Sequence, residues 1–296
     1  MEKIDKCLVC GSDEFTTVLT CKDHFLTKET FNIVECKKCG FRFTNPRPAA
    51  NDIYKYYESE NYISYSHSKK GIINFLYQII KNHSLKQKFN LINKYKTSSG
   101  KKILDIGCAT GDFLNVFKKN NWLTYGIEPN EKVRNHAVAL YNLNIKDEKE
   151  LSKLEDNSFD VITMWHVLEH VHQLDKRITE VKKLLKKDGI LIIAVPNYKS
   201  LDADIYKEFW AGYDIPRHLY HFSQSSIKNL FEKYNFKVEK KFPLKFDSFY
   251  ISLLSEKYKT EKSRFIKAFL NGLKSNISAN KNKNDYSGLI YLIKNM

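Results

Sequence analysis

The sequence predicts an α/β protein, a mostly parallel sheet with helices on both faces, preceded by a small four-cysteine ribbon. Two observations predict the sheet. A strand, a glycine-bearing loop and an amphipathic helix follow one another over 102–117, and apolar strand segments then alternate with helical ones as far as Asn197. A third observation, two Cys-x-x-Cys pairs ahead of that core, predicts the ribbon.

A chain of 296 residues accommodates one large domain and a small satellite. Its 42% hydrophobic and 28% charged content is that of a globular protein, and no run approaches the roughly 20 apolar residues that span a bilayer. Met1 to Lys6 is charged and lacks the apolar stretch of an export signal, which points to a cytoplasmic location and to thiols rather than disulfides. The net charge of +15 comes from lysines scattered through every segment, so nucleic acid is not the favoured partner. An anionic partner such as a nucleotide-linked substrate or a membrane surface stays open.

Cys7 and Cys10 are followed by Gly11, and Cys36 and Cys39 by Gly40. Two residues between thiolates let one tight turn present both sulfurs to a tetrahedral ion, and glycine permits the backbone angles that follow. Two such knuckles make a closed four-thiolate site, hence a structural rather than catalytic Zn2+. Phe15 to Thr20 and Thr30 to Glu35 read as strands, and Phe41 to Phe43 continues the ribbon. Cys21, outside the pairs, reads as a small buried side chain. Asn45-Pro46-Arg47-Pro48 interrupts regular structure and sets the ribbon at 1–48. Asp52 to Lys70 reads as a helix and then a loop. Ile72, Phe75, Leu76, Ile79, Ile80, Leu91, Ile92 and Tyr95 recur at helical spacing, giving a helical linker and cap over 49–98.

Lys102 to Ile106 is a strand running into Asp105-Ile106-Gly107-Cys108-Ala109-Thr110-Gly111-Asp112, and Phe113, Leu114, Val116 and Phe117 mark the helix beyond. Gly107 and Gly111 let backbone approach a ligand where a side chain would collide. The next strand, Leu123 to Ile127, ends at Glu128-Pro129, where a carboxylate can accept both hydroxyls of a ribose.

This segment resembles motif I and its successor in class I S-adenosylmethionine-dependent methyltransferases. The resemblance implies a Rossmann-like sheet of seven strands over 99–296. It puts Asp105 at the motif I acid near the methionine end of the cofactor, and Glu128 at the ribose. Gly107, Cys108, Gly111, Pro129 and Trp165 complete the implied cofactor contacts. Ala109 stands where the common pattern has Gly. Leu143 to Lys146 is the third strand; Asp147 matches the acid that meets the adenine amino group, with Glu148 beside it, and either also reads as a solvated loop charge. Ser158 to Met164 is strand four, Leu184 to Gly189 a turn, and Ile190 to Val195 strand five.

After strand four, His166-Val167-Leu168-Glu169-His170 also describes an inverted zinc-protease motif. That motif needs a long helix and a distant ligand, whereas this one directly follows a strand. In the methyltransferase reading His166 faces the cleft and can take a proton from the acceptor; a helix cap is its alternative role. His170 is assigned to substrate binding or packing, and His172 to solvent. A second cluster, Trp210 to Ser223, contains Asp214, Arg217, His218 and His221. Similar stretches occur in zinc-ribbon methyltransferases. Asp214, Arg217 and His221 are candidate substrate ligands, Arg217 gripping a phosphate or carboxylate in two-pronged fashion, and His218 is the second candidate base. A buried salt bridge is the alternative for this cluster. Ser223 caps a helix over Gln224 to Tyr234.

Phe236 to Leu244 and Gly288 to Lys294 read as strands six and seven. Between them, at about 247–284, Leu253, Leu254, Tyr258, Phe265, Ile266, Phe269 and Leu270 suggest basic amphipathic helices that pack on the domain or a second subunit, or meet a membrane surface. Ribbon plus core resembles bacterial methyltransferases of surface polysaccharide, sugar-nucleotide or secondary-metabolite synthesis, which implies methylation of a hydroxyl on a sugar or other small molecule. An RNA methyltransferase is the enzymatic rival. Trp165-His166 in place of Asn-Pro-Pro-aromatic, and no cysteine beyond Cys108, argue against it. A non-catalytic scaffold is opposed by the intact Asp105, Gly107, Gly111 and Glu128.

Overall fold

The structure, a computed structural model, describes residues 1–57, 72–96 and 99–296, without the side chains of 72–79. Its described residues fall into two compact units, Met1–Ser59 with Leu168–Asp175 and Ala194–Tyr291, and Glu60–Val167 with Lys176–Ile193 and Leu292–Met296.

In the first unit, β1 (Phe15–Lys22), β2 (Thr30–Cys36) and β3 (Arg42–Thr44) form the antiparallel ribbon that the sequence predicts. A fourth strand, which no local pattern in the sequence marks, joins them. Tyr220–His221 pairs antiparallel with β3, Arg42 opposite His221 and Phe43 opposite Tyr220. The ribbon therefore does not end at residue 48 as a separate body. Phe31, Ile33 and Cys21 bury the inner face of β1 and β2 against Tyr198, Tyr206, Trp210, Tyr213 and Ile215, burial that a segment this small cannot find within itself. The expected helix from Asp52 begins as one 3-10 turn, Ile53–Tyr56, and the rest of that expectation, from residue 58, lies outside the described residues.

The second unit opens with α1 (Ile72–Tyr95), as the apolar spacing predicts. Then come β4 (Lys102–Ile106), α2 (Asp112–Lys119), β5 (Leu123–Ile127), α3 (Glu131–Tyr141), β6 (Asn144–Lys146) and β7 (Phe159–Trp165). β4 pairs parallel with both β5 and β7, and β5 with β6. Strands buried on both faces read as nearly continuous apolar runs, and Ile103, Leu104, Val161, Ile162 and Met164 are fully buried. Phe113, Leu114 and Phe117 turn one face of α2 onto them.

The next helix is α4 (Leu174–Leu184), and β8 (Leu185–Pro196) starts at once. The turn expected over 184–189 is thus strand. Lys186 is held extended by its ion pair with the buried Asp160 (2.8 Å) and by the Asn295 side chain, which donates to its carbonyl (3.2 Å). Beyond β8 lie α5 (Leu201–Tyr206), β9 (Tyr220–His221), α6 (Gln224–Glu232), β10 (Phe236–Pro243), α7 (Asp247–Thr260), α8 (Phe265–Lys281) and β11 (Gly288–Asn295). Ser223 caps α6 as predicted, exchanging bonds with Ser226 in a capping box. The large sheet has seven strands in the order β10-β11-β8-β7-β4-β5-β6, so chain order reverses direction at β4, the point at which open α/β sheets bind ligands.

Candidate active site

The loop leaving β4 is built to bring backbone, not side chains, to its surface. Gly107 and Gly111 both adopt left-handed conformations (φ 73° and 76°), and a Cβ on Gly107 would come within 2.5 Å of Val167. Ala109 is left-handed too (φ 46°), a conformation that costs a residue with a Cβ about 1 kcal/mol. Glu128, at the end of β5, accepts from the Ala109 N–H (3.0 Å) through one oxygen and from the Asn130 N–H (2.9 Å) through the other. Each oxygen keeps a lone pair for a hydroxyl. Burial raises the Glu128 carboxyl above its ordinary range despite those bonds.

Asp105, buried on β4, accepts from Thr163 Oγ1 at 2.6 Å, and burial pushes its carboxyl up to about 7. A cation beside it would reverse that shift. Cys108 is buried with its thiol pushed up, first by burial and then by Asp105 and Glu128, so it is no nucleophile. Pro129 lends its carbonyl to Arg134 (3.2 Å). Asp147 caps the turn after β6 and pairs with Arg134 (3.3 Å), while Glu148 is paired with Arg177; neither is a free loop charge. Trp165 stands edge-on to Phe113 (5.4 Å between centroids) under Lys88, and its buried Nε1–H finds no acceptor among the described residues. His166 is left-handed (φ 55°), an unusual conformation for a residue with a Cβ and one often found at functional turns.

In the first unit the four ribbon thiols converge as predicted. Their Sγ atoms all lie within 4.8 Å of one another, with Cys7–Cys39 and Cys10–Cys36 at 3.5 Å. Four thiolates around zinc at 2.3 Å are about 3.8 Å apart, so the donor set fits a tetrahedral ion. Gly11 and Gly40 close each knuckle with a left-handed turn and an N–H bonded to Cys7 and Cys36 carbonyls, both 2.8 Å.

The Trp210–Ser223 segment gathers a second group. Arg217, 2% exposed, donates to both oxygens of Asp214 (3.0 and 2.7 Å), to Asp23 (3.1 Å) and to the Tyr56 carbonyl (3.1 Å). With those donors committed, its guanidinium is a structural bolt and not the expected substrate clamp. Burial works against ionised Asp23 and Asp214, but Arg217 outweighs it and holds both carboxyls below their usual range. His221 is likewise corrected. It is buried in β9 against Thr44 Oγ1 (3.2 Å) and Tyr213, and burial drives its imidazole well toward the neutral form. His172, expected in solvent, contacts the Pro48 carbonyl (3.1 Å).

His218 and His170 remain together, ring centroids 4.6 Å apart. His218 Nδ1 lies 2.9 Å from the Gly212 carbonyl, which can only accept, so Nδ1 carries a hydrogen and Nε2 is left to take a proton. That Nε2 is 4.0 Å from both Glu169 and Asp214. His170 Nδ1 is 2.8 Å from Tyr57 Oη and 3.1 Å from the Arg217 carbonyl; burial first, then His218, lowers its pKa to about 4. Leu168–His170 is a single 3-10 turn, so the long helix of a zinc protease is not there.

Residues 77–241, more than half the chain, match the family model described as a methyltransferase domain. The chain belongs to the methyltransferase-domain family. Among its relatives, an uncharacterised protein of Methanocaldococcus jannaschii is 29% identical over 164 residues, covering 53% of this chain and 66% of its own. A ubiquinone biosynthesis O-methyltransferase of Haemophilus ducreyi is 32% identical over 122 residues, 37% of this chain and 52% of the relative. The chain thus spans about half to two thirds of the curated relatives it matches. In fold it is similar to magnesium protoporphyrin IX methyltransferase from Synechocystis, solved with SAH bound (TM-score 0.54, 13% identity, 82% of this chain and 98% of that one).

The methyltransferase fold and the donor set agree. Left-handed glycines, two buried carboxylates and an orphaned indole N–H are what an adenosyl ligand with ribose hydroxyls and a cationic end would need. Sequence reasoning missed Tyr57, Glu169 and Asp23 as members of the histidine group. Glu169 was visible inside the His-x-x-Glu-His run, whereas Asp23 carries no local signal, since its partner Arg217 is 194 residues away.

Proposed function

We propose that this methyltransferase moves the methyl group of S-adenosylmethionine to an oxygen of a small molecule, a hydroxyl of a sugar or sugar nucleotide in polysaccharide or metabolite biosynthesis. The observation that carries the donor is Glu128, held beside the left-handed glycine loop with one lone pair free on each oxygen. The O-methyltransferases among the relatives support an oxygen acceptor. The resemblance of ribbon plus core to polysaccharide and metabolite methyltransferases supports the sugar. A phenolic acceptor, the second reading, is favoured by the ubiquinone enzymes among those relatives.

When bound, the donor supplies an already activated methyl, so alignment and exclusion of water are most of the protein's task. Glu128 holds the ribose, Asp105 faces the cationic end, and Gly107, Cys108, Gly111, Pro129, Asp147, Glu148 and Trp165 line the remainder. With the methyl supplied by the bound donor, a histidine would take the proton that the acceptor's hydroxyl gives up. His218 is the candidate with a pinned tautomer, and His166 the candidate on the loop after β7. His170 and Asp214 orient the acceptor or His218. The four ribbon cysteines hold a structural zinc ion.

Transfer of labelled methyl into a panel of sugar nucleotides, small phenols and RNA tests the reading. Label should enter one class of small hydroxylated compound and not RNA. His166→Ala and His218→Ala should keep donor binding while at least one loses turnover by about 100-fold or more, the usual worth of a positioned base. Full turnover in both variants removes the histidine base, and label in RNA alone overturns the acceptor class.

A further inference from the structure

Helix α8 packs inside out. The residues it buries are small or polar, Ala268, Asn271, Gly272, Ser275 and Ala279. They are firmly tied: Ser275 Oγ donates to the buried Asp202 (2.5 Å), Asn271 Nδ2 donates to Tyr206 Oη (2.9 Å), and a Cβ on Gly272 would meet the α7 backbone at 3.0 Å. Its large apolar residues face outward. Phe265 is 67% exposed, Ile266 80%, Phe269 56% and Ile277 49%, with Leu270 and Leu273 among them. At 3.6 residues per turn these six fall within an arc of about 140°, opposite the buried five.

Lys274 and Lys281 line one border of that arc, with Lys267, which pairs with the buried Glu256 (3.5 Å), one heptad before them. Residues 245–283 hold nine Lys and Arg against three Asp and Glu. An apolar stripe bordered by lysines has a chemical complement in the interface of an anionic bilayer, where apolar side chains enter the acyl boundary and lysines reach the phosphates. A second copy of the chain is a poorer complement, because pairing two such segments brings together like charge with few acids to offset it.

We propose that the outward face of α8 is a docking surface for an anionic lipid bilayer, seating the protein on the membrane without crossing it. The test is co-sedimentation of the full chain with vesicles of phosphatidylcholine alone or mixed with phosphatidylglycerol, at low and high salt, alongside sedimentation velocity without lipid. The wild type should be monomeric and pellet with the mixed vesicles, less so at high salt. Phe265→Ser/Ile266→Ser, which alters the two most exposed apolar side chains of the helix, should weaken that binding about tenfold or more while its circular dichroism melt is unchanged. Lys274→Gln/Lys281→Gln should weaken it on the mixed vesicles alone. The proposal is overturned if the wild type stays in solution. It is equally overturned if the apolar variant pellets as the wild type does, which would mean scattered charge suffices, or if the wild type is a dimer that this variant dissociates, which would make the face an interface between copies.

Discussion

Two buried titrating residues pull the stability of this chain in opposite directions. Asp105 has its carboxyl raised by burial to about 7 against an ordinary 3.8, so between those values the folded state holds a proton the unfolded state has lost, and stability falls as pH rises. His170, lowered by burial from 6.5 to about 4, does the reverse: the unfolded state binds the extra proton, and stability is lost as pH falls from 6.5 toward 4. Because the windows overlap, each is read as a difference from wild type. In thermal unfolding between pH 4.5 and 7, Asp105→Asn should gain on the wild type as pH rises and His170→Asn should gain on it as pH falls; parallel curves would refute both assignments.

At the level of elements, Arg217 fastens the segment after α5 to the ribbon through Asp23, within the first unit. Replacing it by Met takes the cation from the buried Asp23 and the half-buried Asp214, so Arg217→Met should lower unfolding free energy by about 3–5 kcal/mol in urea titration, and a change below about 1 would contradict the bolt. The ribbon itself should hold one zinc per chain by elemental analysis. Stripping it with a chelator should loosen β9 together with β1 to β3, read as hydrogen exchange at Tyr220 and His221; metal-free protein with full protection there would count against a structural ion. What the sequence made legible here was local. Cysteine spacing, glycine after each pair, strand periodicity and the Ser223 cap each act within a few residues, and all appear in the fold. Pairing of β3 with β9, and Asp23 with Arg217, joins segments more than 170 residues apart and leaves no pattern in either. For the same reason Arg217 and His221 looked like ligands: buried polar groups and binding groups share residue types, and only their partners tell them apart.

At the scale of the molecule, the proposed donor half of the site was legible because a glycine loop and an acid one strand away are a recurring pattern of parallel sheets that bind nucleosides. The acceptor half was not, since a proton acceptor and a few polar contacts can come from almost any loop. Among the described residues no helix is long and apolar enough to cross a membrane, and the lysines bordering the outward face of α8 belong to a positive charge that is spread along the whole chain.

Calorimetric titration of the purified chain with S-adenosylhomocysteine bears most directly on all of this. One site per chain is predicted, weakened about tenfold or more by Glu128→Ala, which removes two charge-assisted hydrogen bonds to the ribose. A wild type that takes up no ligand, or a Glu128→Ala variant that binds as tightly, would contradict the account at its centre.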